Sequence, residues 1–334
     1  MASLRKPQPT VDAMMRHYED VAEDSRRPHL GGSLIGNECE RKLWYIFRWA
    51  KRVYHRGRML KLFARGHNEE HTFIRELKNI GIEVIELDPK TNEQWKVSAV
   101  RGHFKGSFDG KALGVIEAPK TWHLTEFKTH NEESYEMIAG KIINKLQHYD
   151  NNIRKGGQLI KISKPEHYAQ QQVYMYLDGN LTRSLYLAVN KDTDEVYSER
   201  VKLDTAFAKK MLIKAERIID ASVPPIKQFK DTYYKCGAKW CEFRNICHFD
   251  AMPDRNCRTC LYSTPADDAE WTCGKYNKVI PEDDQRKHHK CHRFIPALVP
   301  QKQIDVDGEN IIYEDWTDNG KCDYTLKTLS VSRD

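Results

Sequence analysis

Apolar positions recur along this chain at two different periods. Over residues 57–80, Leu60, Phe63, Phe73, Ile74 and Leu77 fall at helical spacings, and Gly81 offers a stop, so a long amphipathic helix is expected there. Residues 10–30 read as a polar helix broken at 28–32, and Ser33 suits the N-cap of a further helix over 37–50. From residue 82 the period shortens to two. The stretches 82–87, 95–100, 103–110, 112–118 and 123–129 are short, rich in strand formers and separated by turn residues, which predicts a strand meander. Residues 132–149 return to a helical pattern. Ser163 and Glu166 have capping-box spacing with Pro165 in the first turn, so another helix is expected to Leu177, closed by Gly179. Residues 182–191 and 194–203 read as a hairpin, and 204–221 as a helix stopped by Pro224 and Pro225. Over 226–300 periodicity fades and cysteine, aromatic and charged residues take over. That region reads as metal-organised structure rather than a conventional hydrophobic core. Beyond residue 300 the pattern suits a strand or hairpin.

Composition narrows the class. The chain has 334 residues, 40% of them hydrophobic, enough for one large domain or two smaller ones. No run of 18 apolar residues predicts a transmembrane helix, and the N-terminus lacks the apolar core of a secretory signal, so a cytoplasmic location is expected. A net charge of +6 permits nucleic-acid binding without demanding it. Nine cysteines, an odd number with seven of them between Cys236 and Cys291, argue against a disulfide scaffold and for bound metal.

The candidate chemistry centres on Glu126-Phe127-Lys128. On a strand, Glu126 and Lys128 share a face and Phe127 turns to the other. A carboxylate can hold a hard divalent cation, and an ammonium beside it can orient water or offset charge on a phosphate. Asp109, flanked by Gly106 and Gly110 in GSFDG, supplies a second acid. The spacing alone is common, and a solvated charged strand face produces it as readily.

Several motifs in order carry a resemblance. The segment RGHNEEHTFIRELKNIGIEV, then GSFDG, then TEFKTHN, then HYAQQQVYMY together resemble the PD-(D/E)xK nucleases over residues 33–250, in particular the RecB-like branch that includes AddB, CRISPR-adaptation and phage exonuclease domains. The resemblance implies an α/β restriction-endonuclease-like core, a mixed central sheet flanked by helices, with a cysteine-rich C-terminal metal-binding region. It assigns Glu70, Asp109 and Glu126, with the Phe127 carbonyl, to one or two Mg²⁺ or Mn²⁺ ions, Lys128 to catalysis, and Gln170 and Tyr174 to DNA. Glu69 and His71 are the neighbours that stand in for Glu70 if the register slips. The implied activity is metal-dependent DNA hydrolysis, by an exonuclease of phage recombination, replication or repair. The implied partners are DNA and a single-strand annealing or recombination protein, and an oligomer is compatible. The alternatives are a CRISPR-adaptation-like end-trimming nuclease and a non-catalytic nucleic-acid-binding metalloprotein.

Cys236, Cys241 and Cys247 follow C-x4-C-x5-C, with Cys39 far upstream. Iron–sulfur nucleases of the RecB-like branch hold a [4Fe–4S] cluster with one such N-terminal cysteine and three C-terminal ones. Their first gap is normally two residues and here it is four, which leaves tetrahedral zinc open for the same thiols. Cys257 and Cys260 form a C-x2-C knuckle, and with Cys273 and Cys291 they read as a zinc site, His288, His289 and His292 being spare ligands. Cys322 has no evident partner. Arg255, Arg258, Lys275, Lys278, Arg286 and Lys287 suit DNA contact and an ordinary solvated surface equally well. The expected division is a helical arm over 1–32, the nuclease domain over 33–250, the zinc segment over 251–300 and a tail over 301–334.

Overall fold

The computed structural model describes residues 8–140 and 159–299, with the backbone of 303–307, 310–313 and 326–327. Helix α1 (Pro9–Asp20) leads to the short strand β1 (Leu30–Gly31), then α2 (Glu40–Phe47) and α3 (Gly57–Asn79). Six strands follow: β2 (Glu83–Ile85), β3 (Leu87–Asp88), β4 (Glu93–Ala99), β5 (Phe104–Phe108), β6 (Gly110–Leu113) and β7 (His123–His130). Next come α4 (Glu132–Ile138), α5 (Leu159–Ser163), α6 (Pro165–Asp178), β8 (Arg183–Asn190), β9 (Val196–Lys202) and α7 (Thr205–Asp220). The cysteine-rich part holds α8 (Arg244–His248), β10 (Ser263–Pro265), β11 (Trp271–Cys273), β12 (Lys278–Val279) and α9 (Glu282–Gln285).

This is a mixed α/β fold. Five strands form one sheet in the order β2-β6-β7-β8-β9, and four form another in the order β1-β5-β4-β3. The expected meander is corrected here. The chain leaves one sheet after β5 and enters the other at β6, and β7 pairs with β8 in parallel, from Leu124↔Ser184 to His130↔Asn190. A parallel pair cannot be closed by a tight turn, so a crossover carrying α4, α5 and α6 separates the two strands. The β8–β9 hairpin is antiparallel, as its alternation predicts. In the tail, the backbone pairs Gln303–Asp307 antiparallel with Asn310–Tyr313, the hairpin expected there.

Helix ends show where local signals succeed and fail. α3 and α7 run close to their expected bounds, and Gly179 closes α6 in the left-handed conformation with φ +78°. Ser33 is not an N-cap. It lies in a 3-10 turn, and Cys39 caps α2 instead, its Sγ accepting from the Lys42 N–H at 3.4 Å. Ser163 makes no capping box either, because its hydroxyl donates back to the Leu159 carbonyl at 2.8 Å inside α5, and Pro165 opens α6. α1 and α4 are shorter than expected; the remainder of the 132–149 helix falls largely outside the described residues, as does Cys322.

The cysteine-rich region shares the principal core. Phe243, Trp271, Ile280, Ile295 and Leu298 belong to the same buried cluster as Leu30, Leu43, Phe47, Phe104 and Tyr174. The expectation that 226–300 lacks a conventional core is therefore corrected: its apolar residues are too irregularly spaced to show a period, yet they complete a core built by distant elements. Arg258 is likewise neither a DNA contact nor a solvated cation. It is 1% exposed, with its guanidinium 3.6 Å from the centroid of Trp49. No described helix is long and apolar enough to cross a membrane.

Candidate active site and thiol clusters

β7 lies at the centre of the five-stranded sheet, and its alternation sorts the chemistry from the core. Phe127 points into a cluster with Phe73, Ile74, Leu77, Val84 and Leu185, its ring stacked on Phe73 at 5.2 Å. Glu126 and Lys128 emerge on the opposite face and form an ion pair. Asp109 sits in the bend where the chain changes sheets, between β5 and β6. Gly110 makes that bend possible with φ +153°; a Cβ there would press on the Ile85 carbonyl at 3.0 Å. Asp109 is thereby held against β7, its Oδ2 accepting from the Phe127 N–H at 2.8 Å. Lys128 Nζ also donates to the Phe127 carbonyl at 3.1 Å.

Glu70 projects from α3 toward the same group. It feels the charges of Asp109 and Lys128, and pairs with His67 at 3.5 Å. Glu69 instead faces Glu76, Arg65, Asp194 and Arg75, and His71 is exposed, so Glu70 is the helix residue that joins Asp109 and Glu126.

Gln170 and Tyr174 lie where the helical period of α6 puts them, on one face, but that face is turned inward. Gln170 Nε2 donates to Glu126 Oε2 at 3.0 Å and is 7% exposed. Tyr174 is buried, filling the space that two glycines leave: a Cβ at Gly32 or Gly106 would fall within 2.3 Å of its ring. In this arrangement Gln170 holds Glu126 and Tyr174 walls the acid site. Gln172 lies on another face and is bound to the Lys202 carbonyl and the Asp204 N–H.

The electrostatics follow from crowding acids in a buried place. Burial pushes the Glu126 carboxyl up to about 7, Lys128 opposing while Asp109 and Glu70 add to the rise. Asp109 is raised by burial against the pull of Lys128 and the Phe127 N–H, and Glu70 by burial and by Asp109. Burial disfavours the Lys128 ammonium, but Glu126, Asp109 and Glu70 outweigh it and hold Lys128 above an ordinary lysine, hence charged. Glu126 Oε1 lies against Lys128 Nζ, so among the described residues the ammonium is the one partner of that fully buried oxygen. Three carboxylates, the donor type that suits a hard divalent cation, approach one another here, but among the described residues they are not closed into a metal-holding group.

Two histidines and a tyrosine border the site without having been singled out. His130 Nε2 and His167 Nδ1 lie 3.0 and 2.9 Å from the Tyr186 hydroxyl, which can donate to one ring and accept from the other. Both histidines are lowered by burial first, with the Lys128 charge contributing; His130 falls to about 4. The signals were present, since His130 shares the strand face of Glu126 and Lys128, and His167 lies one turn before Gln170.

The cysteines gather into two groups. Cys39, Cys236, Cys241 and Cys247 come from the α2 N-cap, a 3-10 turn, a loop and α8. All four are free thiols; burial raises each of them, and the charge of one or more of the other three adds to the rise. Cys257, Cys260, Cys273 and Cys291 line a small cavity of about 30 Å³ with His289 and His292. Burial, then the neighbouring thiols, push Cys257 up to about 12. His288 stands apart, paired with Arg255 at 2.8 Å. Among the described residues, no three or more His, Cys, Asp or Glu side chains are closed into a metal-holding cage; the thiols are gathered but not drawn onto one point.

No family model and no curated protein matches this chain. Solved structures with some likeness include LHK-Exo in complex with dAMP, 14% identical over 62% of this chain and 90% of that chain, TM-score 0.36. The alkaline exonuclease LHK-Exo from Laribacter hongkongensis is 16% identical over 61% and 90%, TM-score 0.35. SSO0001 is 15% identical over 72% and 96%, TM-score 0.38. Likeness at this level does not define a function.

Proposed function

We propose that this chain is a divalent-metal-dependent DNA nuclease of the PD-(D/E)xK type, of the RecB-like branch, acting as an exonuclease in phage recombination, replication or repair. One observation carries the reading: Glu70, Asp109, Glu126 and Lys128, spread over 59 positions of sequence, come within reach of one another's charges around β7, with Gln170 fixing Glu126. An ordinary charged strand face has no reason to bury a glutamate to 1% exposure among two other acids.

Glu70, Asp109, Glu126 and the Phe127 carbonyl would hold Mg²⁺ or Mn²⁺. The bound ion lowers the pKa of a water and offsets charge on the phosphate. Lys128, kept charged by its three acid neighbours, acts as a fixed donor to a phosphate oxygen or to the attacking water, not as a base. Gln170 holds the orientation of Glu126, while Tyr174 closes the site from below and excludes water there. His130, His167 and Tyr186 stiffen the side nearest Lys128.

The four thiols of the first group would hold a [4Fe–4S] cluster, with zinc the alternative for the same donors, and tie α2 to α8. Those of the second would hold Zn²⁺, with His289 or His292 in reserve. Iron, sulfide and zinc analysis after anaerobic purification separates these assignments; a protein free of iron and zinc refutes both.

The site itself is tested by cleavage of end-labelled single- and double-stranded DNA with Mg²⁺ or Mn²⁺. Asp109→Asn should reduce the rate at least ~100-fold. Cleavage at the wild-type rate by that variant overturns the assignment.

A further inference from the structure

A cleft of about 890 Å³ runs between α1, the first half of α3 and the turn after β8. Its charged lining is Arg56, Arg58, Lys61, Arg65 and Lys191, and no carboxylate lines it. The chain as a whole carries 54 basic and 48 acidic residues, so five cations with no acid is a local bias. Arg58, Lys61 and Arg65 stand at i, i+3 and i+7, a stripe on one face of α3 about 10 Å long. Among the described residues, Arg56, Arg58 and Lys61 pair with no carboxylate, while Lys191 pairs with Asp192 at 2.6 Å.

Tyr18 lies across this stripe, with Lys61 Nζ 5.8 Å from its ring centroid. The ring is placed by a close helix crossing. Gly57 has no side chain where a Cβ would sit 2.2 Å from the Met15 carbonyl oxygen, and its N–H donates to Glu19 Oε1 at 2.7 Å. The cleft also adjoins the acid site along two elements. On α3, Glu70 is five residues beyond Arg65, about 8 Å along the axis and about 140° round it, so the helix carries the stripe on one side and the acid on another. Along the parallel strands, Lys128 is level with Ala188, and Lys191 lies three residues further, about 10 Å at the strand rise.

We propose that this cleft holds one strand of nucleic acid beside the active site, its phosphates on Arg58, Lys61 and Arg65 and a base on Tyr18. The inference rests on the nuclease reading of that site and adds to it a place for the unpaired strand. Cations in a row fit a phosphate backbone, and a lone ring among them fits an unstacked base, a combination that a base-paired duplex cannot use.

The test is fluorescence anisotropy of a labelled oligothymidylate with the full chain in EDTA, where nothing is hydrolysed, across a range of salt. Arg58→Gln/Lys61→Gln/Arg65→Gln should weaken binding about tenfold or more, and should lower the slope of log affinity against log salt by about 2. Tyr18→Ala should weaken binding about fivefold or more and leave the slope unchanged. Arg58, Lys61 and Arg65 are exposed and Tyr18 is half-buried; a thermal melt establishes that each variant is folded, and Arg58→Gln alone, at the far end of the stripe, gives a smaller loss of the same kind. Wild-type affinity and slope in the triple variant overturn the proposal. So does equal loss on a blunt duplex with no effect of Tyr18→Ala, which makes the cleft a duplex surface. The nuclease reading fails separately, through metal-supported cleavage that Asp109→Asn does not reduce, and that result leaves the anisotropy comparison intact.

Discussion

The side chains that matter most are charged groups kept in places that disfavour charge. Glu126 is the extreme, buried beside Asp109 and Glu70 with its carboxyl pushed up to about 7. A carboxyl raised in the folded state stabilises most while both states hold the proton, below about 4.5, and that contribution is lost as pH rises through about 7. Metal-free Glu126→Gln should therefore melt higher than wild type at pH 8, by an amount on the order of 2 kcal/mol, with little gain at pH 5. Calorimetric melts in EDTA at the two pH values measure this, and an equal shift at both refutes the raised carboxyl. The period-two alternation made Glu126, Phe127 and Lys128 legible in the sequence, and the flanking glycines marked Asp109. The inward part of Gln170 was not legible, because its acceptor is 44 residues away. Nor was the burial of Arg258, since an arginine amid lysines and histidines reads as surface.

Elements are legible at their ends when the signal is local. Pro9, Pro165 and Gly179 mark helix boundaries whatever the tertiary fold, whereas the split of strands between two sheets depends on pairings no short window contains. The contact of α6 with β5 and with the 3-10 turn after β1 belongs to this second kind. Gly32 and Gly106 read in sequence as loop and strand glycines, and only their shared neighbour, the Tyr174 ring, explains both. Gly106→Ala should cost about 1–3 kcal/mol through overpacking, since the ring is buried and cannot swing away. Tyr174→Leu should remove most of that penalty, so that adding Gly106→Ala to Tyr174→Leu costs much less than adding it to wild type. Chemical denaturation of the four chains closes this cycle. Additive losses would mean that the glycine is needed for its backbone and not for the ring.

At the scale of the molecule, the cysteine-rich segment is bound to the rest by more than its thiols. Arg258 reaches three remote pieces of chain: Nε donates to Gln285 Oε1 at 2.9 Å, Nη1 to the Phe47 carbonyl at 3.2 Å and Nη2 to the Pro28 carbonyl at 2.9 Å. Its guanidinium is packed between Trp49 and Trp271, the latter 4.6 Å away, and Arg48 lies 4.9 Å over the same Trp271 ring. Burial pushes the Arg258 guanidinium well below its usual range, and no buried carboxylate offsets the cost. What retains the charge is the set of planar hydrogen bonds and aromatic faces, which only a guanidinium meets at once. Arg258→Ala leaves two carbonyls and an amide without their donor and opens a cavity between two tryptophans, a loss of about 3–5 kcal/mol. Arg258→Lys should recover little of it, because an ammonium cannot span the three acceptors. Limited proteolysis should then cut near residue 250 before the rest of the chain, with the order of cutting unchanged by added zinc. If zinc alone restores wild-type resistance to Arg258→Ala, the thiol cavity and not the arginine holds the segment in place.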